Sequence, residues 1–141
     1  MFDDLVRFET VLWGTVDERL RKECGLTLAS LNVMLVLAAT PQCRVLDIAQ
    51  ALEITVGGTS QAVARLEAAG HCRRRANPAD RRSSIVELTP EGEELLGLAS
   101  PVFDRELDRF LRTPLPGKDF TQLAEALSTL RHSAAPTPTA S

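Results

Sequence analysis

The chain of 141 residues has no tyrosine, two histidines and three cysteines, and these shortages remove whole classes of function. His71 and His132 lack a nucleophile or acid partner at a spacing that suggests catalysis, so no catalytic residue is assigned and the chain reads as a non-enzyme. Cys24, Cys43 and Cys72 are too few and oddly numbered for a disulfide framework, and no close Cys/His spacing matches a zinc site. Each is read as a reduced, small apolar residue, and no metal or cofactor is expected. Long hydrophobic runs are missing too. The most apolar stretch, Leu26–Ala39, is interrupted by Thr27, Ser30 and Asn32 and falls short of the roughly 20 residues a bilayer crossing needs. The opening MFDDLVRF puts Asp3 and Asp4 where a secretory signal carries positive charge, so the expectation is a cytoplasmic protein without a membrane segment.

What is present is a globular composition, 44% hydrophobic and 25% charged, over a length that suits one domain. The net charge of −3 looks unsuited to a nucleic-acid partner, but its distribution is uneven. Residues 65–82 hold six arginines (65, 73, 74, 75, 81 and 82) against Glu67 and Asp80, whereas the segments on either side are both acidic. A uniformly solvated surface rarely sorts its charges this way.

The positive segment runs into a predicted β-hairpin. His71–Ala76 and Ser83–Thr89 are able to form strands, and Asn77-Pro78-Ala79-Asp80-Arg81-Arg82 between them carries turn chemistry. On the second run, Ser84, Val86 and Leu88 alternate with Ser83, Ile85 and Glu87, so one face is expected on a core and the other in solvent. The same period separates Cys72 and Ala76 from Arg73 and Arg75. The hairpin therefore has an apolar underside and an arginine-rich outside and tip, suited to lying along a nucleic-acid backbone.

Helices surround it. Asp3–Cys24 carries Leu5, Phe8, Leu12, Trp13, Val16 and Leu20 at helical spacing, with Gly25 as C-cap. Thr27 N-caps a second helix through Leu28, Leu31, Leu35 and Leu37, which Pro41 ends. Val45–Leu52 is a short helix expected to turn Leu46, Ala49 and Leu52 inward. After a tight turn at Glu53-Ile54-Thr55, Val56–Ala69 is a further helix with Val56, Thr59, Val63, Leu66 and Ala69 facing the core. Its opposite side carries Ser60, Gln61, Ala64 and Arg65, small or hydrogen-bonding residues that suit a major groove. Gly57-Gly58 in its first turn reads either as an irregular start or as bare backbone open to a phosphate. Thr89-Pro90-Glu91 starts a helix with Leu95, Leu98, Val102, Leu107, Phe110 and Leu111, which Pro101 is expected to kink. A turn at Thr113–Gly117 leads to a last helix, Lys118–Arg131, with Phe120, Leu123, Leu127 and Leu130 on one side.

The predicted fold is mainly α with a small β-hairpin wing. A winged helix-turn-helix over residues 26–92 is flanked by dimerisation helices at 1–25 and 93–131, and a tail, 132–141, is expected to be disordered. The apolar stripes of the flanking helices exceed what the middle can cover. Pairing with a second copy buries the surplus and sets two reading heads about one helical turn of DNA apart, or a multiple of it.

The stretch LDIAQALEITVGGTSQAVARLEAAGHCRRRANPADRRSSIVELTPEGEELL resembles the winged helix-turn-helix core of the MarR family of bacterial transcription regulators. Asp80-Arg81-Arg82 followed by Val86-Glu87-Leu88-Thr89-Pro90-Glu91-Gly92 is similar to the family's D-x-R wing signature and its V-x-L-T-x-x-G continuation. Leu66-Glu67-Ala68-Ala69-Gly70 is similar to the end of its recognition helix. The resemblance implies a homodimer on double-stranded DNA, with recognition helices in major grooves and wing tips in minor grooves. Arg82 would be the wing arginine and Asp80 the acid holding it, with Arg81 and Arg73–Arg75 at phosphates. Thr55, Ser60, Gln61 and Arg65 complete the expected DNA-binding set. Gln61 and Ala64 depart from the residues common in the family, so the operator cannot be inferred from a relative.

The resemblance also implies release by a small aromatic or phenolic anion. Leu12, Trp13, Val16, Leu31, Met34 and Leu35 are the candidate lining, and they equally suit ordinary core; Arg44 or His71 is the candidate anion partner. Repression is the expected mode of action. One alternative is redox sensing through Cys24, near Arg19, Arg21 and Lys22, although the tyrosines that assist such sensors are absent. The other is a winged-helix protein-interaction module without specific DNA binding.

Overall fold

Caps set the helix boundaries in the computed structural model, which describes residues 1–134. Helix α1, Phe2–Cys24, stops at Gly25, whose φ of 64° is left-handed and lets its N–H reach the Arg21 carbonyl. Helix α2, Leu28–Ala39, starts where the Thr27 hydroxyl accepts the Ser30 N–H, and it ends just before Pro41. Strand β1, Cys43–Arg44, leads into α3, Val45–Leu52, and then α4, Val56–Ala68. Strands β2, Cys72–Ala76, and β3, Ser84–Leu88, precede α5, Pro90–Leu107. A π-helical turn, Asp108–Arg112, follows directly, and α6 spans Lys118–Ala134.

The chain divides into two units, Met1–Phe103 and Asp104 onward. In the first, Val16 and Leu20 of α1 join Leu31, Val33 and Met34 of α2, Ile48 of α3 and Val63 and Leu66 of α4 in one buried cluster. Complete burial of a side chain such as Leu20 or Leu31 is worth about 1.5–3 kcal/mol, so α2, with apolar residues all round, is the central post. In the second unit the Arg112 guanidinium lies 4.9 Å from the Phe120 ring centre and pairs with Asp108 at 3.1 Å, tying the π turn to α6.

Several sequence-based expectations need correction. Leu46 and Val56 were expected to face inward but are about half exposed, and Ala69 and Leu98 are exposed as well. In α3 the stripe containing Ile48 and Ala49 is the buried one. The hairpin of β2 and β3 forms as expected, but a third strand joins it: β1 pairs with β3, so the sheet order is β1-β3-β2, antiparallel throughout. As the central strand, β3 buries Ile85 as well as Val86, at 1% exposure each, so the outer face it shares with Glu87 is only partly wet. Residues 132–134 of the expected disordered tail are helical; the rest of it, 135–141, lies outside the described residues.

Candidate nucleic-acid interface

Thr55 organises the start of α4. Its hydroxyl accepts the Gly58 N–H at 3.0 Å, and its carbonyl accepts both the Thr59 N–H at 3.0 Å and the Thr59 hydroxyl at 2.9 Å. Gly57 and Gly58 therefore lie inside a capped, regular first turn, which removes the irregular-start reading. Before it, Glu53 closes α3 in the left-handed region at φ 55°, a strained position for a residue with a side chain. Thr59, Val63 and Leu66 anchor α4 to the core, while Gln61, Ala64 and Arg65 are exposed on the other side and Ser60 is half-buried.

The wing turn is held by its own polar residues. The Asn77 carboxamide oxygen accepts the Ala79 N–H at 3.0 Å, and its amide donates to the Ser83 hydroxyl at 3.0 Å. Asp80 accepts the Arg82 backbone N–H at 2.9 Å. The carboxylate thus fixes the main chain at Arg82, and among the described residues it makes no bond to the guanidinium. Arg81 and Arg82 are exposed, and with Arg65 they have no acid partner among the described residues.

The base of the wing is different. By register Arg73 sits opposite Glu87, with Arg75 one diagonal step away on the same face. One carboxylate takes both: Arg73 Nε donates to Glu87 Oε1 at 2.9 Å, and Arg75 Nε to Oε2 at 3.2 Å. Those two bonds, Arg73 first, hold the Glu87 carboxyl below its usual range. Arg74 lies 3.8 Å from Glu67 of α4. So among the described residues the six arginines divide into three without an acid partner, at the reading helix and wing tip, and three already paired at the wing base. Glu87 was not among the expected site residues, although strand alternation placed it on the outer face with Arg73 and Arg75.

The hairpin is fastened to α5 by Thr89. Its hydroxyl donates to the Gly70 carbonyl at 2.6 Å and accepts the Gly92 N–H at 3.0 Å, and its own N–H reaches the His71 carbonyl at 3.1 Å. Arg44, a candidate anion partner, is instead joined to Asp47 by two side-chain bonds of 3.1 and 3.0 Å, which lower the Asp47 carboxyl and raise the guanidinium.

A cleft of about 570 Å³ opens between α2, the sheet and α5, lined by Leu37, Leu88, Leu96, Arg73, Glu87 and Glu93 among others. None of the six candidate ligand residues lines it. Val16, Leu31 and Met34 are fully buried core, Leu12 and Leu35 pack against that core, and Trp13 is 45% exposed. Burial pushes the Cys72 thiol up to about 11 and raises that of Cys43. Two of the three basic neighbours of Cys24 are engaged elsewhere: Arg21 pairs with Asp17 at 2.9 Å and Arg19 with Glu23 at 3.9 Å.

A three-helix core with a helix-turn-helix and a β-hairpin beside its second helix defines a winged helix-turn-helix protein. Comparison with known proteins gives the particular family. The sequence model of the MarR family matches residues 25–83. Transcriptional regulator HosA of Escherichia coli O111:H- is 35% identical over 86 residues, 61% of this chain and 64% of its own length, so the chain spans just under two thirds of that relative. Over nearly the whole chain the fold matches Sco3205, a MarR family transcriptional regulator from Streptomyces coelicolor solved in complex with DNA. The TM-score is 0.91, with 26% identity over 98% of this chain and 91% of that one. The transcriptional repressor CouR, bound to a 23-mer DNA duplex, gives a TM-score of 0.82 at 28% identity, over 90% of this chain and 89% of its own. The chain is thus similar to the MarR family of winged helix-turn-helix regulators, in sequence over residues 25–83 and in fold over nearly its whole length.

Proposed function

We propose that this protein is a cytoplasmic, DNA-binding transcriptional regulator that grips a pseudo-palindromic operator as a homodimer and acts as a repressor. The observation that carries the reading is the sorting of charge. The outward side of α4 and the wing tip present Arg65, Arg81 and Arg82 without acid partners among the described residues, while arginines elsewhere in the segment are paired. In this reading Ser60 and Gln61 read base edges in the major groove, Thr55 and Arg65 hold phosphates beside it, and Arg82 enters the adjacent minor groove with its backbone fixed by Asp80. The DNA-bound state of Sco3205 and of CouR supports it, and CouR's description as a repressor supports the sign of the effect.

Dimerisation is supported by the apolar side chains that one copy leaves uncovered: Phe2, Leu5, Phe8 and Trp13 on α1, and Leu127 and Leu130 on α6, each at least 39% exposed. In this reading a small releasing ligand acts in the cleft beside Arg73; the volume of that cleft and the full burial of Val16, Leu31 and Met34 support it over the core residues.

Selection of bound sequences from a random duplex pool tests the proposal. An inverted repeat with half-sites about one helical turn apart is the expected result. Retention without enrichment, lost at modest salt, would give the lead to a protein-interaction module.

A further inference from the structure

We propose that Glu87 is a built-in restraint on DNA affinity: it holds Arg73 and Arg75 to the wing base and keeps them from the phosphates that Arg65, Arg81 and Arg82 are free to reach. The inference rests on the DNA-binding reading above and concerns which arginines take part in it.

The geometry is specific to one carboxylate. Arg73 and Arg75 lie on the same face of β2, two residues apart, and Glu87 faces Arg73 across the β2–β3 ladder. Its two oxygens are divided between them, Oε1 to Arg73 at 2.9 Å and Oε2 to Arg75 at 3.2 Å. All three side chains keep contact with solvent, with 62%, 42% and 33% of their surface exposed for Arg73, Arg75 and Glu87. Exposed ion pairs of this kind add little to folding stability. Their effect falls instead on the charge a backbone of phosphates meets. Arg44 lies on the same face beside Ile85 and is neutralised in the same way, by Asp47. The sheet's outer face therefore carries three arginines, each matched to an acid, while the wing tip a few residues away carries two without one among the described residues.

Non-specific affinity rises with every phosphate neutralised, and the logarithm of the affinity falls with the logarithm of salt by about 0.9 per contact. Two arginines withheld by one glutamate thus lower the affinity for arbitrary duplex without touching the residues that face base edges. In a chain whose positive charge is confined to one segment, that restraint limits capture by sites other than the operator.

The experiment is a titration of fluorescent random-sequence duplex by wild-type protein, Glu87→Gln, Glu87→Ala and the Arg73→Ala/Arg75→Ala pair with and without Glu87→Gln, at several salt concentrations. Both single variants should bind more tightly at low salt, with a slope steeper by up to about 3.6 for the four arginines of a dimer, which amounts to roughly 150-fold more affinity lost between 50 and 200 mM salt. Their unfolding midpoints should stay near wild type, and the gain should vanish in the background lacking both arginines. Unchanged or weakened binding in Glu87→Gln and Glu87→Ala overturns the restraint and makes Glu87 a residue that orients the arginines toward DNA. A gain that survives removal of both arginines also overturns it, since charge alone then explains the effect. Wild-type protein that binds no duplex at any salt defeats the DNA-binding reading itself, and this inference with it.

Discussion

Gly92 shows how much one residue type can decide. A Cβ built there would lie 2.9 Å from the His71 carbonyl carbon and closer still to its oxygen, which is the acceptor that Thr89 uses. The glycine that ends the V-x-L-T-x-x-G pattern is thus a steric requirement where α5 crosses the start of the wing, and nothing in the sequence alone explained it. Gly92→Ala should cost about 1–3 kcal/mol in chemical denaturation. An unchanged midpoint would mean the contact relaxes freely.

Two carboxylates at this scale also set a pH dependence. Asp47 and Glu87 are held below their ordinary range by arginines, so the stability they contribute, small because these pairs are partly exposed, is fully present above the pKa of an unfolded carboxyl and is lost as pH falls through the lower folded values. Thermal unfolding of wild type should weaken below about pH 4.5 more steeply than that of the double variant Asp47→Asn/Glu87→Gln. Parallel curves would exclude these two groups as the source.

At the scale of elements, caps and turns were legible and helix faces less so. Gly25, Thr27 and Thr89-Pro90 mark boundaries that the structure keeps, because each supplies a local bond or a backbone conformation that needs no distant partner. Val45–Leu52 was bounded correctly, but its buried stripe only in part: Ala49 is buried and Leu52 packs on the core as expected, while Ile48 takes the place of Leu46. VLDIAQAL spans about two turns and offers apolar residues on more than one side, so only the packed neighbours choose Ile48 over Leu46. Strand β1 was missed for a related reason: two residues, Cys43 and Arg44, carry no periodicity, and their pairing with Val86 and Ile85 is long-range. The division of the arginines into paired and unpaired sets depends on register, which the strand pattern alone does not fix. For the reading helix the expectation is direct. Ser60→Ala and Gln61→Ala should each flatten the sequence preference recovered by selection more than they reduce affinity for random duplex. Equal loss in both would move these residues from base contacts to phosphate contacts.

At the scale of the whole molecule, one copy leaves large apolar side chains in water on α1 and α6, including Phe2 at 76% and Leu130 at 61%. Sedimentation at micromolar concentration should give a dimer, and Leu5→Asp/Phe8→Asp should shift it toward monomer while binding of operator falls by more than tenfold. A monomeric wild type would remove the two-fold arrangement from the account.

The central claim, that the unpaired arginines of α4 and the wing tip carry DNA affinity, is tested most directly by the salt dependence of duplex binding for wild type and for Arg65→Ala/Arg81→Ala/Arg82→Ala. In a dimer six charges are removed, so the slope should become shallower by about 5, with the fold and the dimer retained. A triple variant with the same affinity and slope as wild type would contradict the claim.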